Sequence, residues 1–277
     1  MLSLVLGLGL SLVSKAATSL EQEFQCPFDG ERWKERIETS SRPTGLRLDA
    51  KQLGDIVQPR VLPQCPKCRF VLFSEQLDEE VLKKLKPFVL GGDYQIIAGK
   101  SPSYACLAQI QEFLGAPPIY PAYSFLRASW QVEEKPSLCR RYLERAHERF
   151  LKALEAMEPT HKDRLNIVLL CGELERRLEK WEEAESRFRN LLNSEEFKNE
   201  PRMEPIVNFQ MELIAARDSA PRALDARGKI RQPPTVPLSL SDPPPPLDPA
   251  APAATPAESN PLDLKKPLLL EGSPIGQ

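Results

Sequence analysis

The sequence predicts a mainly α-helical protein with a small N-terminal β domain, a helical stack behind it and a disordered proline-rich tail. Three observations carry this reading. Two cysteine-containing turns lie at Cys26-Pro27-Phe28-Asp29-Gly30 and Cys65-Pro66-Lys67-Cys68. Apolar residues recur at intervals of three and four between Tyr104 and Leu191. From Ser219 to Gln277 there are 14 of the chain's 28 prolines, and no aromatic residue follows Phe209. The expected segments are a signal peptide at 1–16, a knuckle domain at 23–90, a helical domain at 91–217 and a tail at 218–277.

Composition narrows the classes of function. At 277 residues the chain suits one large or two modest domains. Its 37 Lys and Arg against 39 Asp and Glu give a net charge of −2, which argues against nucleic-acid binding by counterion release, since that needs a basic face. Six cysteines against two histidines exclude His-rich metal chemistry.

At the N-terminus, Leu2 to Val13 is an apolar run, and Ser14 and Ala16 place small residues at −3 and −1 of a cut before Ala17. The run is shorter than the roughly 20 residues of a membrane-spanning helix, so no stable membrane span is expected. A cleaved leader places the mature protein in the periplasm or outside the cell. An uncleaved one leaves it in the cytoplasm, and the lack of Lys or Arg before the apolar run favours that alternative.

The two turns have the same outline. Each can direct two side chains at one point, and two such turns build a tetrahedral zinc site. Cys26, Asp29, Cys65 and Cys68 are therefore the candidate metal ligands, with Asp29 where a four-cysteine ribbon has its second sulfur. Carboxylate is an accepted zinc ligand, so a structural zinc-ribbon-like site is the first reading. The alternatives are a scaffold that keeps the fold without metal, a disulfide among the three cysteines after export, and an Asp29 that only turns the chain. The 35 residues from Gly30 to Gln64 require a hairpin or short ribbon, for which Ile37-Glu38-Thr39 and Leu46-Arg47-Leu48 alternate suitably. Phe70 to Phe73 reads as a strand. A thioredoxin-like role for Cys65 and Cys68 needs a helix starting at the first cysteine; here an apolar β-like run follows instead.

Beyond Gly91-Gly92 the pattern is helical. Tyr104, Leu107, Ile110, Phe113 and Leu114 form one buried face; Phe125 to Trp130 belong to another helix. Cys139, Tyr142, Leu143, Ala146, Phe150 and Ala153 line a third helix, started by Pro136 and stopped by Pro159. Val168, Cys171, Leu174 and Leu178 make a stripe, answered by Trp181, Ala184, Phe188 and Leu191. Gly172, Ala184 and Phe188 occupy the small–small–large positions of a tetratricopeptide helix pair, and Trp181 opens its second helix. Ala146 precedes Ala184 by 38 residues, which repeats that pattern with a slightly long loop. A generic helical bundle is the competing architecture. Cys106, Cys139 and Cys171 read as buried small hydrophobes.

The remaining motifs carry little chemistry. Gly99-Lys100-Ser101 lacks the earlier glycine of a phosphate loop, since Tyr94 stands there. His147-Glu148 lacks the second histidine of a zinc protease, and His147 reads as an exposed helix residue. Arg140, Arg141, Arg145, Arg149, Arg176 and Arg177, interleaved with Glu144, Glu148, Glu173 and Glu175, read as a solvated helix face.

Taken together, Cys26-Pro27, Gly30, Ser40-Ser41-Arg42, Cys65-Pro66-Lys67-Cys68, the FLRASW run ending at Trp130 and CGELERRLEKWEEAESRF resemble a bacterial domain family of unknown function. That family joins N-terminal Cys-Pro knuckles to a tetratricopeptide-like helical region. The resemblance runs from about Phe24 to Arg217 and departs at Asp29, where the family has cysteine, and at Arg69, where glycine is common. It implies an architecture and no reaction. The expected function is a non-enzymatic module that binds a protein or peptide. The competing class is a zinc- or thiol-dependent enzyme centred on Cys26, Asp29, Cys65 and Cys68.

Overall fold

The computed structural model describes residues 19–38, 43–56, 58–74, 77–225 and 230–231. The leader expected at 1–16 and the tail from 232 onward lie outside the described residues. The architecture is mainly helical with small antiparallel sheets.

Strands β1 (Ser19–Gln25) and β2 (Arg32–Glu38) form a hairpin, with Phe24 opposite Trp33 and Leu20 opposite Ile37. The facing rings of Phe24 and Trp33 stack at 5.8 Å. A second sheet is built from β3 (Pro43–Arg47), β4 (Gln52–Gly54), β5 (Ala223–Asp225) and β6 (Ile230–Arg231), in the order β4-β3-β5-β6. Here β5 lies inside the stretch assigned from the sequence to the tail, yet it pairs with Gly45–Arg47. Gly45 makes this possible, because a Cβ there would lie 2.5 Å from the Leu224 carbonyl oxygen. The strand expected at Phe70–Phe73 is reduced to a single bridge between Gln64 and Val71.

Helices follow in sequence: α1 (Glu79–Leu90), α2 (Gly92–Ala98), α3 (Ser103–Phe113), α4 (Ile119–Gln131), α5 (Pro136–Glu155), α6 (Arg164–Arg177), α7 (Trp181–Leu192), the single turn α8 (Glu195–Lys198) and α9 (Glu204–Ala215). Their starts have local causes. Pro136 sits in the first turn of α5, where its fixed φ suits a helix and its missing N–H costs nothing. In α7, Glu182 and Glu183 lie in the first turn and Arg189 in the last, matching the helix dipole. Ser194 caps α8 by accepting from the Phe197 amide at 3.2 Å.

One apolar cluster runs continuously from Cys26, Cys65, Cys68 and Phe70 through Val81, Leu85 and Val89 to Phe125, Phe150, Cys171 and Leu174. A second joins Leu165, Ala184, Phe188, Leu191, Val207 and Ile214. Cys106, Cys139 and Cys171 are all buried in the first cluster.

The charged face expected on α5 and α6 is partly internal. Glu173, Glu175, Arg176 and His147 are buried. Arg176 bonds both carboxylate oxygens of Glu173 at 2.8–2.9 Å, the Gln210 side chain at 3.0 Å and the Ala220 carbonyl at 3.0 Å, and it also reaches the Asp218 carbonyl. Glu175 accepts from Arg187 at 2.5 and 2.7 Å and lies 3.0 Å from the His147 ring. These charges tolerate burial because each is paired and hydrogen-bonded, and because α7, α9 and the segment after α9 close over them. His147 is thus a packed residue between helices, not an exposed one.

Sheet and helices are joined at Asp49, which is fully buried in the β3–β4 turn. It accepts from Arg47 at 2.6 and 3.0 Å, from Arg177 at 2.5 Å and from the Trp130 indole at 3.0 Å. Burial works against its charge, but the Arg47 and Arg177 guanidinium groups and the hydrogen bonds hold its carboxyl below the usual range.

The α6–α7 crossing shows what Gly172 does. A Cβ at Gly172 would lie 2.5 Å from the tip of the Phe188 ring, and both Phe188 and Ala184 are fully buried. Trp181 is half-buried at the start of α7. Gly172→Leu is expected to cost ~1–3 kcal/mol of stability by overpacking. Adding Phe188→Leu should recover part of that loss in urea denaturation. A single variant as stable as wild type would show that the ring can move away freely.

Candidate metal centre

The first turn connects β1 to β2. The Cys26 amide donates to the Glu31 carbonyl at 2.8 Å, and the Gly30 amide donates back to the Cys26 carbonyl at 3.1 Å. In the second turn the Cys65 amide donates to the Phe70 carbonyl at 2.8 Å, and the Arg69 amide to the Cys65 carbonyl at 3.0 Å. The two turns are therefore copies of one backbone design. Each needs a left-handed residue after its last donor: Gly30 at φ +73° and Arg69 at φ +60°.

The copies extend to the side chains. In the second turn the Phe70 backbone amide lies on the Cys68 side and works against the rise that burial gives its thiol. At the matching place in the first, Asp29 Oδ1 receives the Glu31 amide at 3.0 Å. Asp29 stands in the first turn where Cys68 stands in the second. Further amides point at the other two donors, from Phe28 to Cys26 Sγ at 3.5 Å and from Cys68 to Cys65 Sγ at 3.4 Å.

The turns face each other. Cys26 Sγ lies 3.4 Å from Cys68 Sγ, and Cys65 Sγ lies 3.6 and 3.7 Å from the Asp29 oxygens. One donor atom from each of the four residues lies within 4.8 Å of the others, and these residues could hold a metal ion. With metal–sulfur bonds of about 2.3 Å, tetrahedral ligands are about 3.8 Å apart, so small shifts suffice. All three cysteines are buried, whereas Asp29 is part-exposed.

Electrostatics fit a cation. Burial pushes the Cys26 thiol up to about 11, and burial, with Cys26 and Cys65 nearby, also raises Cys68. For Asp29, burial works against ionisation, but hydrogen bonds from the Glu31 amide and the three thiols hold its carboxyl low. Without a cation the Cys26 and Cys68 thiols stay protonated; a thiophilic ion would offset the cost of burying their thiolates.

Neighbouring groups hold the second turn in place. Gln64 Nε2 and the Tyr94 hydroxyl both donate to the Arg69 carbonyl at 3.0 Å, and Gln95 Nε2 donates to the Cys68 carbonyl at 2.7 Å. The Phe28 and Phe70 rings meet edge to face at 4.5 Å, tying the two turns together. Tyr94 and Gln95 were not identified from the sequence. Their only trace there is the helix that begins at the Gly91-Gly92 break.

A separate groove of about 450 Å³ opens between α4, α6, the α9 region and the second sheet. Tyr120, Tyr123, Trp130, Leu169, Met203 and Ile206 contribute to its lining, and Leu46 and Leu224 form part of the sheet wall. The Arg127 guanidinium lies over the Tyr123 ring at 5.9 Å.

Residues 61–214 match a family model described as an uncharacterized protein conserved in bacteria (DUF2225). The chain belongs to this family. The matched region holds Cys65, Cys68 and α1–α9 as far as Ile214, whereas Cys26 and Asp29 precede it. No curated protein and no solved structure matches the chain.

In this family member the second turn carries a removable strain. Left-handed backbone costs a non-glycine residue roughly 1–2 kcal/mol. Arg69→Gly is expected to raise stability by about 1 kcal/mol in thermal melts at fixed metal content, since residue 69 is hydrogen-bonded through its backbone amide and carbonyl, which glycine keeps. A destabilised variant would show that the Arg69 side chain outweighs its backbone strain.

Proposed function

We propose that the protein is a non-enzymatic binding module, a tetratricopeptide-like stack carrying a structural zinc-ribbon-like site. Its groove takes an apolar peptide segment of a partner protein. The observation that carries this reading is the lining of the groove. It draws on α4, α6 and the α9 region, and two of these helices are each followed by a helix packed against it: α4 by α5, and α6 by α7. Stacked helix pairs present one helix of each pair on a common inner face, and such faces are extended binding surfaces. The Gly172–Phe188 crossing is the close helix contact such a pair requires.

Zinc is favoured at the two turns by a donor set of three sulfurs and one carboxylate oxygen and by the duplicated knuckle backbone. When bound, it would pin the β1–β2 hairpin to the turn before α1. A thiol-enzyme reading is disfavoured by burial, which raises the Cys26 and Cys68 thiols where a nucleophile needs a lowered one. If a leader is cleaved and the protein exported, metal ligation also shields the three thiols from oxidation.

The test is selection of displayed peptides on the full chain, followed by titration of the enriched sequences. Tyr123→Asp and Ile206→Asp, checked for retained helicity, are expected to weaken binding by at least tenfold. Peptides that bind both variants as tightly as wild type would place recognition elsewhere and contradict the groove assignment.

A further inference from the structure

We propose that the Cys26–Asp29–Cys65–Cys68 centre is an exchangeable metal site, loaded and unloaded from its Asp29 side. This rests on the reading that the four residues hold a thiophilic divalent ion, and it concerns how that ion comes and goes. Protection of the donors is lopsided. The three sulfurs are buried in the main core, with Phe28, Phe70, Tyr94 and Gln95 around them, while Asp29 is part-exposed. The residue beside it, Gly30, borders open space: a Cβ there would meet nothing within 4 Å.

Asp29 is also the weakest donor. Its Oδ1 already accepts the Glu31 amide at 3.0 Å, and the Cys65 thiol, which reaches both oxygens at 3.6 and 3.7 Å, would lose its proton on binding an ion. One hard oxygen among three soft sulfurs makes the weakest bond to a thiophilic metal. The most easily displaced ligand therefore sits where solvent arrives. An incoming thiolate or chelator nitrogen takes the metal's fourth position as the carboxylate oxygen leaves, and the sulfurs hold the ion during the exchange. In a four-cysteine site of the same backbone the ligand at this position would be a soft thiolate, which leaves a thiophilic metal less readily. The centre is thus suited to follow the supply of thiophilic ions, with small thiols or other chelators as its exchange partners.

The experiment uses the full chain loaded with zinc and mixed with excess 4-(2-pyridylazo)resorcinol, following the coloured complex by stopped flow. Wild-type release is expected to speed up with chelator concentration. Asp29→Cys should slow release at least tenfold, and Asp29→Ala should accelerate it. Circular dichroism and zinc content before mixing establish that each variant is folded and loaded. Zinc-loaded wild type and Asp29→Cys releasing at the same, chelator-independent rate would overturn the exchange proposal and leave the metal site standing. Failure of both proteins to retain zinc would overturn the metal reading and this proposal with it.

Discussion

The N-terminal half of the molecule depends on three thiols and a carboxylate being brought to one point from opposite ends of a long excursion. Cys26 and Cys68 are 42 residues apart in the chain, and their sulfurs lie 3.4 Å from each other. Closing a loop of that length costs chain entropy, which the hydrogen bonds within each turn cannot recover because they are local. The Phe28–Phe70 contact and burial in the main core contribute, but the polar donors themselves gain little from being crowded together. A divalent cation held there would convert the crowding into four bonds and make closure favourable. Metal binding at such a site is then part of the folding free energy.

The same core couples the turns to the helices. Tyr94 and Gln95 bond the carbonyls of the second turn, so α2 is positioned by the site it supports. At the other end of the helical region, Asp49 gathers Arg47, Arg177 and Trp130 and fixes the β3–β4 turn against α4 and α6. That joint places Leu46 in the wall of the groove, and the pairing of β5 with β3 adds Leu224. The groove is therefore a product of chain segments nearly 180 residues apart, held by buried ion pairs rather than by apolar packing alone.

Much of this was legible in the sequence where the signal is local. The outline Cys-Pro-x-Cys and its variant Cys-Pro-Phe-Asp-Gly named the four side chains that converge, because a knuckle is a short-range object. Helical stripes located α3 to α7, and the Gly172–Phe188 contact followed from small and large residues at fixed offsets. Charge patterning failed where partners were distant. Glu173, Glu175, Arg176 and His147 alternate as a solvated face does, and only Arg187, Gln210 and the carbonyls of residues 218 and 220 make them internal. β5 was hidden for a similar reason: Ala223–Asp225 lies beside the proline-rich stretch, and its strand character comes from pairing with Gly45–Arg47, not from its own residues. The equivalence of Asp29 and Cys68 rests on the backbone: each precedes a left-handed residue whose amide returns to the carbonyl of its turn's first cysteine.

The most direct measurement is X-ray absorption at the zinc edge of the full chain purified from zinc-supplemented expression. Three sulfur scatterers at about 2.3 Å and one oxygen at about 2.0 Å are expected, with one zinc per chain. Metal-free protein in which Cys26 and Cys68 are joined in a disulfide, or zinc bound only by oxygen and nitrogen, would contradict the convergence of these four side chains on a metal ion.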